Sequence, residues 1–172
     1  MNGTLFIVAT PIGNLEDLTP RARQTLVEVN LIAAEDTRHT GRLLMYIGCK
    51  TKLMILHDHN EEKIVSSIIK RLKAGDNVAL VCDAGTPLVS DPGFRLVRAA
   101  HEHGVIVSPI PGVSAVIAAL SVAGISTDHF CFEGFAPSKH VARREWLENL
   151  ASERRTIIIY ESVHRIMQCL DD

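Results

Sequence analysis

Short runs that are apolar on both faces, separated by longer stretches of mixed polarity, set the rhythm of this chain. "TLFIVA" (Thr4–Ala9), "LIAA" (Leu31–Ala34), "KLMIL" (Lys52–Leu56), "NVALVC" (Asn77–Cys82) and "VIVSPI" (Val105–Ile110) have strand length and composition. The stretches between them carry helical spacing. "TPRARQTLVEV" predicts a helix with Thr19 as N-cap and Pro20 at the first position. A short helix through Leu43–Ile47 stops at Gly48, one capped by Asn60 stops at Gly75, and one from Phe94 to His103 stops at Gly104. Alternating strands and helices with buried strands predict an α/β fold whose mainly parallel five-stranded sheet is covered on both faces.

After Ser114 the pattern changes. An apolar small-residue helix, "SAVIAALSVAG", precedes a strand over Phe130–Phe135, a charged helix in "HVARREWLENLA", a strand over Thr156–Tyr160 and a helix from Val163. Residues 1–112 therefore read as an N-terminal α/β domain, and residues 113–172 as the start of a smaller second one, incomplete because "HRIMQCLDD" looks like a helix without a stop signal. Where two such domains meet is the expected ligand position.

The loops are unequal. Helix-to-strand connections are brief ("AGDN", "HG", "GCKT"), whereas the strand-to-helix loops are "TPIGNLEDLT", "EDTRHT", "HDHN", "DAGTPLVSDPG" and "PGVSA". In a parallel sheet these long loops share one edge, the edge where ligands bind. Gly85, Gly93 and Gly112 permit close backbone approach there, while Pro87, Pro92 and Pro111 stiffen the loops. Such an edge suits a ligand recognised by main-chain groups and shape.

Composition narrows the function. With 47% hydrophobic and 22% charged residues the chain reads as globular, and 18 Lys+Arg against 20 Asp+Glu leave no overall field toward DNA or an anionic membrane. The apolar runs fall far short of the roughly 20 residues of a membrane span. Cys49, Cys82, Cys131 and Cys169 lie far apart without a C-x-x-C pair and read as reduced thiols of a cytoplasmic protein. "ATPIGN" after the first strand lacks the dinucleotide glycine fingerprint, no Walker loop is present, and "PGVSAV" is not a nucleophile elbow. "HDHN" (His57–Asn60) has no clear third ligand, so no metal is expected.

"TPIGNLEDLT", "AAEDTRHTGRLL", "LHDHNE", "VCDAGTPLVSDPGFRLV", "PGVSA", "FEGFAPSK" and "RTIIIYESVHR" together resemble the tetrapyrrole (corrin/porphyrin) methylase family, in particular its bacterial members that methylate ribosomal RNA. The resemblance covers nearly the whole chain. It implies S-adenosylmethionine as methyl donor, the 2′-hydroxyl of a cytidine in small-subunit (16S) ribosomal RNA or the 30S particle as acceptor, and a homodimer. Carried over by position, the cofactor contacts fall on Pro11, Ala84, Gly85, Thr86, Val89, Ser114, Ala115 and Glu161. The family's tetrapyrrole enzymes usually have G-D-P where this chain has "GTP" at Gly85–Pro87, so Thr86 replaces an acid. Methylation of a tetrapyrrole or another small molecule, and a cofactor-binding fragment without turnover, are the competing readings.

A ribose hydroxyl is a weak nucleophile and gains from a base. Glu35, Asp36, His39, His57, Asp83, Asp91 and Glu161 are the candidates on the active edge, with Asp36 favoured; a local Asp36–Arg38 ion pair and helix capping by Asp91 are the structural alternatives. Positive charge for RNA is expected from Ser138–Arg155, where Lys139, Arg143, Arg144, Arg154 and Arg155 outnumber Glu145, Glu148 and Glu153, with Arg38 and Arg42 adding phosphate contacts.

Overall fold

A computed structural model describes residues 2–57 and 64–172, together with the backbone but not the side chains of residues 61–63. The described chain divides into two compact units, residues 1–115 and 116–172.

In the first unit the strands β1 (Thr4–Val8), β2 (Leu31–Ala34), β3 (Leu53–Ile55), β4 (Val78–Val81) and β5 (Ile106–Ile110) form one sheet in the order β3-β2-β4-β1-β5. Every pairing is parallel. The helices are α1 (Pro20–Glu28), α2 (Thr37–Tyr46), α3 (Glu61–Lys73) and α4 (Phe94–Glu102). From β1 to β2 to β3 the chain steps one way across the sheet, and from β3 to β4 to β5 it steps back. Right-handed crossovers then place α1 and α2 on one face and α3 and α4 on the other.

The core shows the same division. Ala22, Leu26, Leu43 and Leu44 pack with Val8, Ile32, Ala34, Ala79 and Val81 on one face. Ile68, Leu72, Leu96 and Ala100 pack with Leu5, Leu31, Ala33, Val78 and Leu80 on the other. Successive residues of β2 and β4 thus go to opposite clusters, the two-residue period of a strand buried on both sides.

Local signals explain most boundaries. Thr19 accepts a hydrogen bond from the Ala22 amide at 3.1 Å, capping α1 with Pro20 at its first position. Helix α2 begins at Thr37, six residues before the expected Leu43, because Asp36 caps it by accepting from the Arg38 amide at 2.8 Å. Most of "EDTRHT" is therefore helix rather than loop. The expected Asn60 cap of α3 lies outside the described residues.

In the second unit β6 (Phe130–Phe135) and β7 (Thr156–Tyr160) pair in parallel, joined by α6 (His140–Leu150); α5 (Ala115–Val122) precedes them and α7 (Ile166–Asp171) follows. Helix α7 starts three residues later than expected, since a turn closed by Arg165 N–H donating to the Ser162 carbonyl intervenes. Phe132 and Phe135 pack against the Tyr160 ring at 4.7 and 5.4 Å between centroids.

Gly93 leads into α4 with φ of 124°, buried against the sheet, and a β-carbon there would stand 2.6 Å from Leu80 Cδ2. Gly93→Ala should therefore destabilise the protein by about 1–3 kcal/mol through strain and displacement of Leu80. The urea midpoint measures this, and an unshifted midpoint would contradict the packing described.

Candidate functional site

The strand order fixes where a ligand can sit. β1 and β4 are neighbours, yet the chain leaves β1 for one face and β4 for the other. A crevice opens at the carboxyl ends of such a strand pair, and this is the usual ligand position in open parallel sheets. Two backbone hydrogen bonds lie across it: the Thr10 amide donates to the Gly85 carbonyl at 2.8 Å, and the Gly85 amide donates to the Thr10 carbonyl at 3.0 Å. Thr10, 3% exposed, also donates from Oγ1 to the Cys82 carbonyl at 3.1 Å.

Around this bridge the first-unit residues expected to hold the cofactor come together. Pro11 follows Thr10, and Ala84 precedes Gly85. Gly85 has φ of 85°, a left-handed conformation that side chains disfavour. Thr86 donates from Oγ1 to the Val113 carbonyl at 3.1 Å, which ties the β4 loop to the turn holding Ser114 and Ala115. Leu88 and Ser90, flanking Val89, take φ of 72° and 69° without being glycine. Strained backbone of this kind is concentrated at sites where geometry serves a ligand.

Glu161 lies in the second unit, immediately after β7. Its side chain is 3% exposed; Oε1 pairs with Arg165 at 2.6 Å and accepts from the Ser162 amide at 2.6 Å. Oε2 is buried with no hydrogen-bond partner among the described residues. A buried carboxylate oxygen in that state calls for a donor, from an ordered water or a ligand.

The acids expected to supply a base stand in different surroundings. Asp36 caps α2 and forms a two-point pair with Arg38, at 3.1 Å to Nε and 2.7 Å to Nη2. The hydrogen bond from the Arg38 guanidinium, seconded by the Arg38 amide, holds the Asp36 carboxyl well below the usual carboxylate range, making it a weak proton acceptor. Asp83 accepts from the Asp36 amide at 3.2 Å. Asp91 does not cap α4: Gly93 occupies the N-cap and no side chain bonds there. Burial raises the Asp91 carboxyl, the Asp83 charge adds to the effect, and a hydrogen bond from Cys82 opposes it. The Cys82 thiol is pushed far up by burial and by Asp91, so it stays protonated and inert.

Of "HDHN" only His57 lies within the described residues, and no group of three metal-ligating side chains occurs among them. The expected basic patch is thinner than its sequence. Arg143 is 2% exposed and pairs with Asp172, far along the chain, while Arg155 is held by Glu153 at 2.6 Å. Lys139, Arg144 and Arg154 remain exposed.

One residue escaped sequence reasoning. Thr40, in α2, is 2% exposed, and its Oγ1 finds no hydrogen-bond partner among the described residues. With α2 beginning at Thr37, the spacing of Thr40 to Leu43 and Leu44 places it on the buried face. The signal was hidden by reading the segment as loop.

This fold and edge define a two-unit α/β protein with a ligand crevice at the strand ends of its parallel sheet. The model of the Tetrapyrrole (Corrin/Porphyrin) Methylases matches residues 4–172, and the chain belongs to that family. It is 56% identical over 172 residues to the Ribosomal RNA small subunit methyltransferase I of Haemophilus influenzae, covering 100% of this chain and 61% of that protein. The protein of the same name from Escherichia coli O157:H7 is 53% identical over 170 residues, covering 99% of this chain and 59% of that one. The chain thus spans about three fifths of the length of these relatives. Among solved structures, cobalt precorrin-4 methyltransferase, a cobalamin biosynthetic enzyme, matches with a TM-score of 0.71 at 19% identity, over 98% of this chain and 72% of that one. Uroporphyrin-III-C-methyltransferase from Thermus thermophilus matches at 0.61 with 24% identity, over 78% of this chain and 61% of that one. These two establish a shared fold. Methyltransferases of the family use S-adenosylmethionine as methyl donor.

The raised Asp91 carboxyl carries a stability consequence. Stability linked to such a group is present below the unfolded carboxylate range, near pH 4, and is lost as pH rises through the higher folded value. Asp91→Asn should therefore exceed the wild type in urea midpoint at neutral pH, with the gap closing on acidification. A gap that is constant with pH would show that burial of the charge is not its source.

Proposed function

We propose that the chain forms part of an S-adenosylmethionine-dependent methyltransferase acting on the 2′-hydroxyl of a cytidine in small-subunit ribosomal RNA. The observation that carries this reading is the identity of 52–58% that spans essentially the whole chain to relatives named as small-subunit ribosomal RNA methyltransferases. The likeness to tetrapyrrole-modifying enzymes, at 19–24% identity, supports the fold and not their substrates. We further infer a homodimer in the cytoplasm. Four free cysteines are compatible with that compartment, and no helix among the described residues is long and apolar enough to cross a membrane.

The residues fit the cofactor. In this reading Pro11, Ala84, Gly85, Thr86, Val89, Ser114 and Ala115 offer backbone groups and a shaped wall, and Glu161 offers its unpartnered Oε2 to a hydroxyl or ammonium group. When bound, S-adenosylmethionine would supply a methyl carbon already activated by a sulfonium, with a neutral thioether as the leaving group. The protein's own work is then alignment and exclusion of water. Pro11 and the bridged loops would help to position the acceptor oxygen, and a carboxylate at this edge would take the hydroxyl proton. Asp36, kept charged by Arg38, serves this step by fixing the start of α2 rather than by taking the proton.

Calorimetric titration of the intact protein should show micromolar affinity for S-adenosylmethionine and none for NAD. Gly85→Leu and Glu161→Gln should each weaken cofactor binding about ten-fold or more, the worth of one hydrogen bond to a charged group. Folded variants that bind as the wild type does would remove these residues from the cofactor site; NAD binding would overturn the cofactor assignment.

A further inference from the structure

The crevice has two sides, and the expected cofactor residues of the first unit occupy only one. From Pro11 and Ala84 at the Thr10–Gly85 bridge they run through Thr86 and Val89 to Ser114 and Ala115, toward β5, where Thr86 is tied to Val113. On the other side, toward α2, a hollow of about 360 Å³ lies open, within the ~300–1,000 Å³ typical of small-ligand sites. Its apolar wall comes from Ile12, Leu15 and Leu43, and His39 and Arg42 supply its polar groups. Pro11 and Ala84 line it as well, so the hollow touches the expected donor residues of the first unit at the bridge.

Three observations give the hollow a chemical character. Arg42 is exposed and enters no ion pair among the described residues, whereas Arg38 is consumed by Asp36. His39 precedes Arg42 by three positions in α2, so the two share a helix face. Immediately inward, His39, Leu43, Pro11 and Leu15 also line a tight niche of about 30 Å³, walled further by Asp83 and by Thr40 with its buried, unpartnered hydroxyl. A niche of that size holds an ordered water or the tip of one ligand group. A cation and an imidazole beside an apolar wall, with an unsatisfied hydroxyl behind, match a phosphate next to a ribose.

We propose that this hollow seats the ribonucleotide that receives the methyl group, with its phosphate on Arg42 and His39 and a ribose oxygen, or the water it holds, on Thr40 Oγ1. The proposal rests on the ribosomal RNA reading given above. It places donor and acceptor on opposite sides of one backbone bridge, meeting at Pro11 and Ala84. Arg42 and Thr40 are positioning residues for the acceptor and are silent toward the donor.

The test compares the intact wild type with Arg42→Gln and Thr40→Val. Filter retention of an unmethylated small-subunit ribosomal RNA transcript is measured across a salt series, beside calorimetric titration with S-adenosylmethionine and single-turnover methyl transfer. Arg42→Gln should weaken RNA binding several-fold and flatten the plot of log K against log salt by about 0.7–0.9, one phosphate contact, at unchanged cofactor affinity. Thr40→Val should retain the melting temperature and cofactor affinity while slowing methyl transfer. Unchanged RNA affinity and salt slope in Arg42→Gln would overturn the proposal, and so would a parallel loss of cofactor binding, which would give the hollow to the donor. A wild type that binds cofactor but neither binds nor methylates the RNA would instead overturn the ribosomal RNA reading, and this proposed occupant with it.

Discussion

The pair of backbone hydrogen bonds between Thr10 and Gly85 is the constraint on which the candidate site depends. Parallel strands end with their carbonyl and amide groups pointing past the sheet, and at a switch point the chain diverges to opposite faces immediately afterwards. Left alone, the two loops would be free to separate. The bridge holds them together for one residue more, with Thr10 Oγ1 adding a third bond to the Cys82 carbonyl. That extension is possible because Gly85 accepts a left-handed backbone. The next residue, Thr86, is tied in turn to Val113, so the loop leaves the bridge on a fixed course.

Several cations of this molecule are spent on carboxylates of the same chain. Arg38 closes on Asp36, Arg98 on Glu102 one helical turn away, Arg155 on Glu153 and Arg143 on Asp172. The exposed pairs add little stability. Their larger effect is to withdraw cations that a count over the sequence would assign to a polyanion. With a formal net charge of −2 and no overall positive field, the positions of the remaining cations matter more than their number. Arg42 is one of them, lining a hollow with Ile12 and Leu15 of the β1 loop.

Much of the first unit is legible in the sequence, because its strands are buried on both faces and its helices stop at glycine. Val78 through Val81 read as a strand from composition alone, and the Thr19–Pro20 start of α1 follows from capping chemistry. What stayed hidden depends on distant partners or on unusual backbone. "TRHTGR" is too polar to announce a helix, and only the Asp36 cap and the burial of Thr40 and Leu43 on the sheet make it one. Asp91 looks like a cap until Gly93 takes that position with a φ that a side chain disfavours. Arg143 looks like one of a solvent-facing group until its guanidinium meets a carboxylate 29 residues later. Left-handed Leu88 and Ser90 leave no mark in the sequence at all, since neither residue prefers that region.

The proposed division between backbone and side-chain recognition also accounts for how one fold could serve different acceptors. Structures matching this chain at 19–24% identity share its architecture while most side chains differ. Main-chain groups at a switch point survive such change, because strand order and a few permissive residues place them, whatever the neighbouring side chains are. A donor common to a family is well matched to that kind of wall. Acceptors that differ from member to member need side chains, and in the seating proposed here α2 supplies them, on a helix whose start is set by Asp36 and Arg38 and whose C-terminal end is met by Arg23, donating to the Ile47 carbonyl at 3.3 Å. A rigid helix laid beside a backbone bridge can therefore change its exposed residues without disturbing the donor side, and specificity can diverge while the transfer geometry stays fixed.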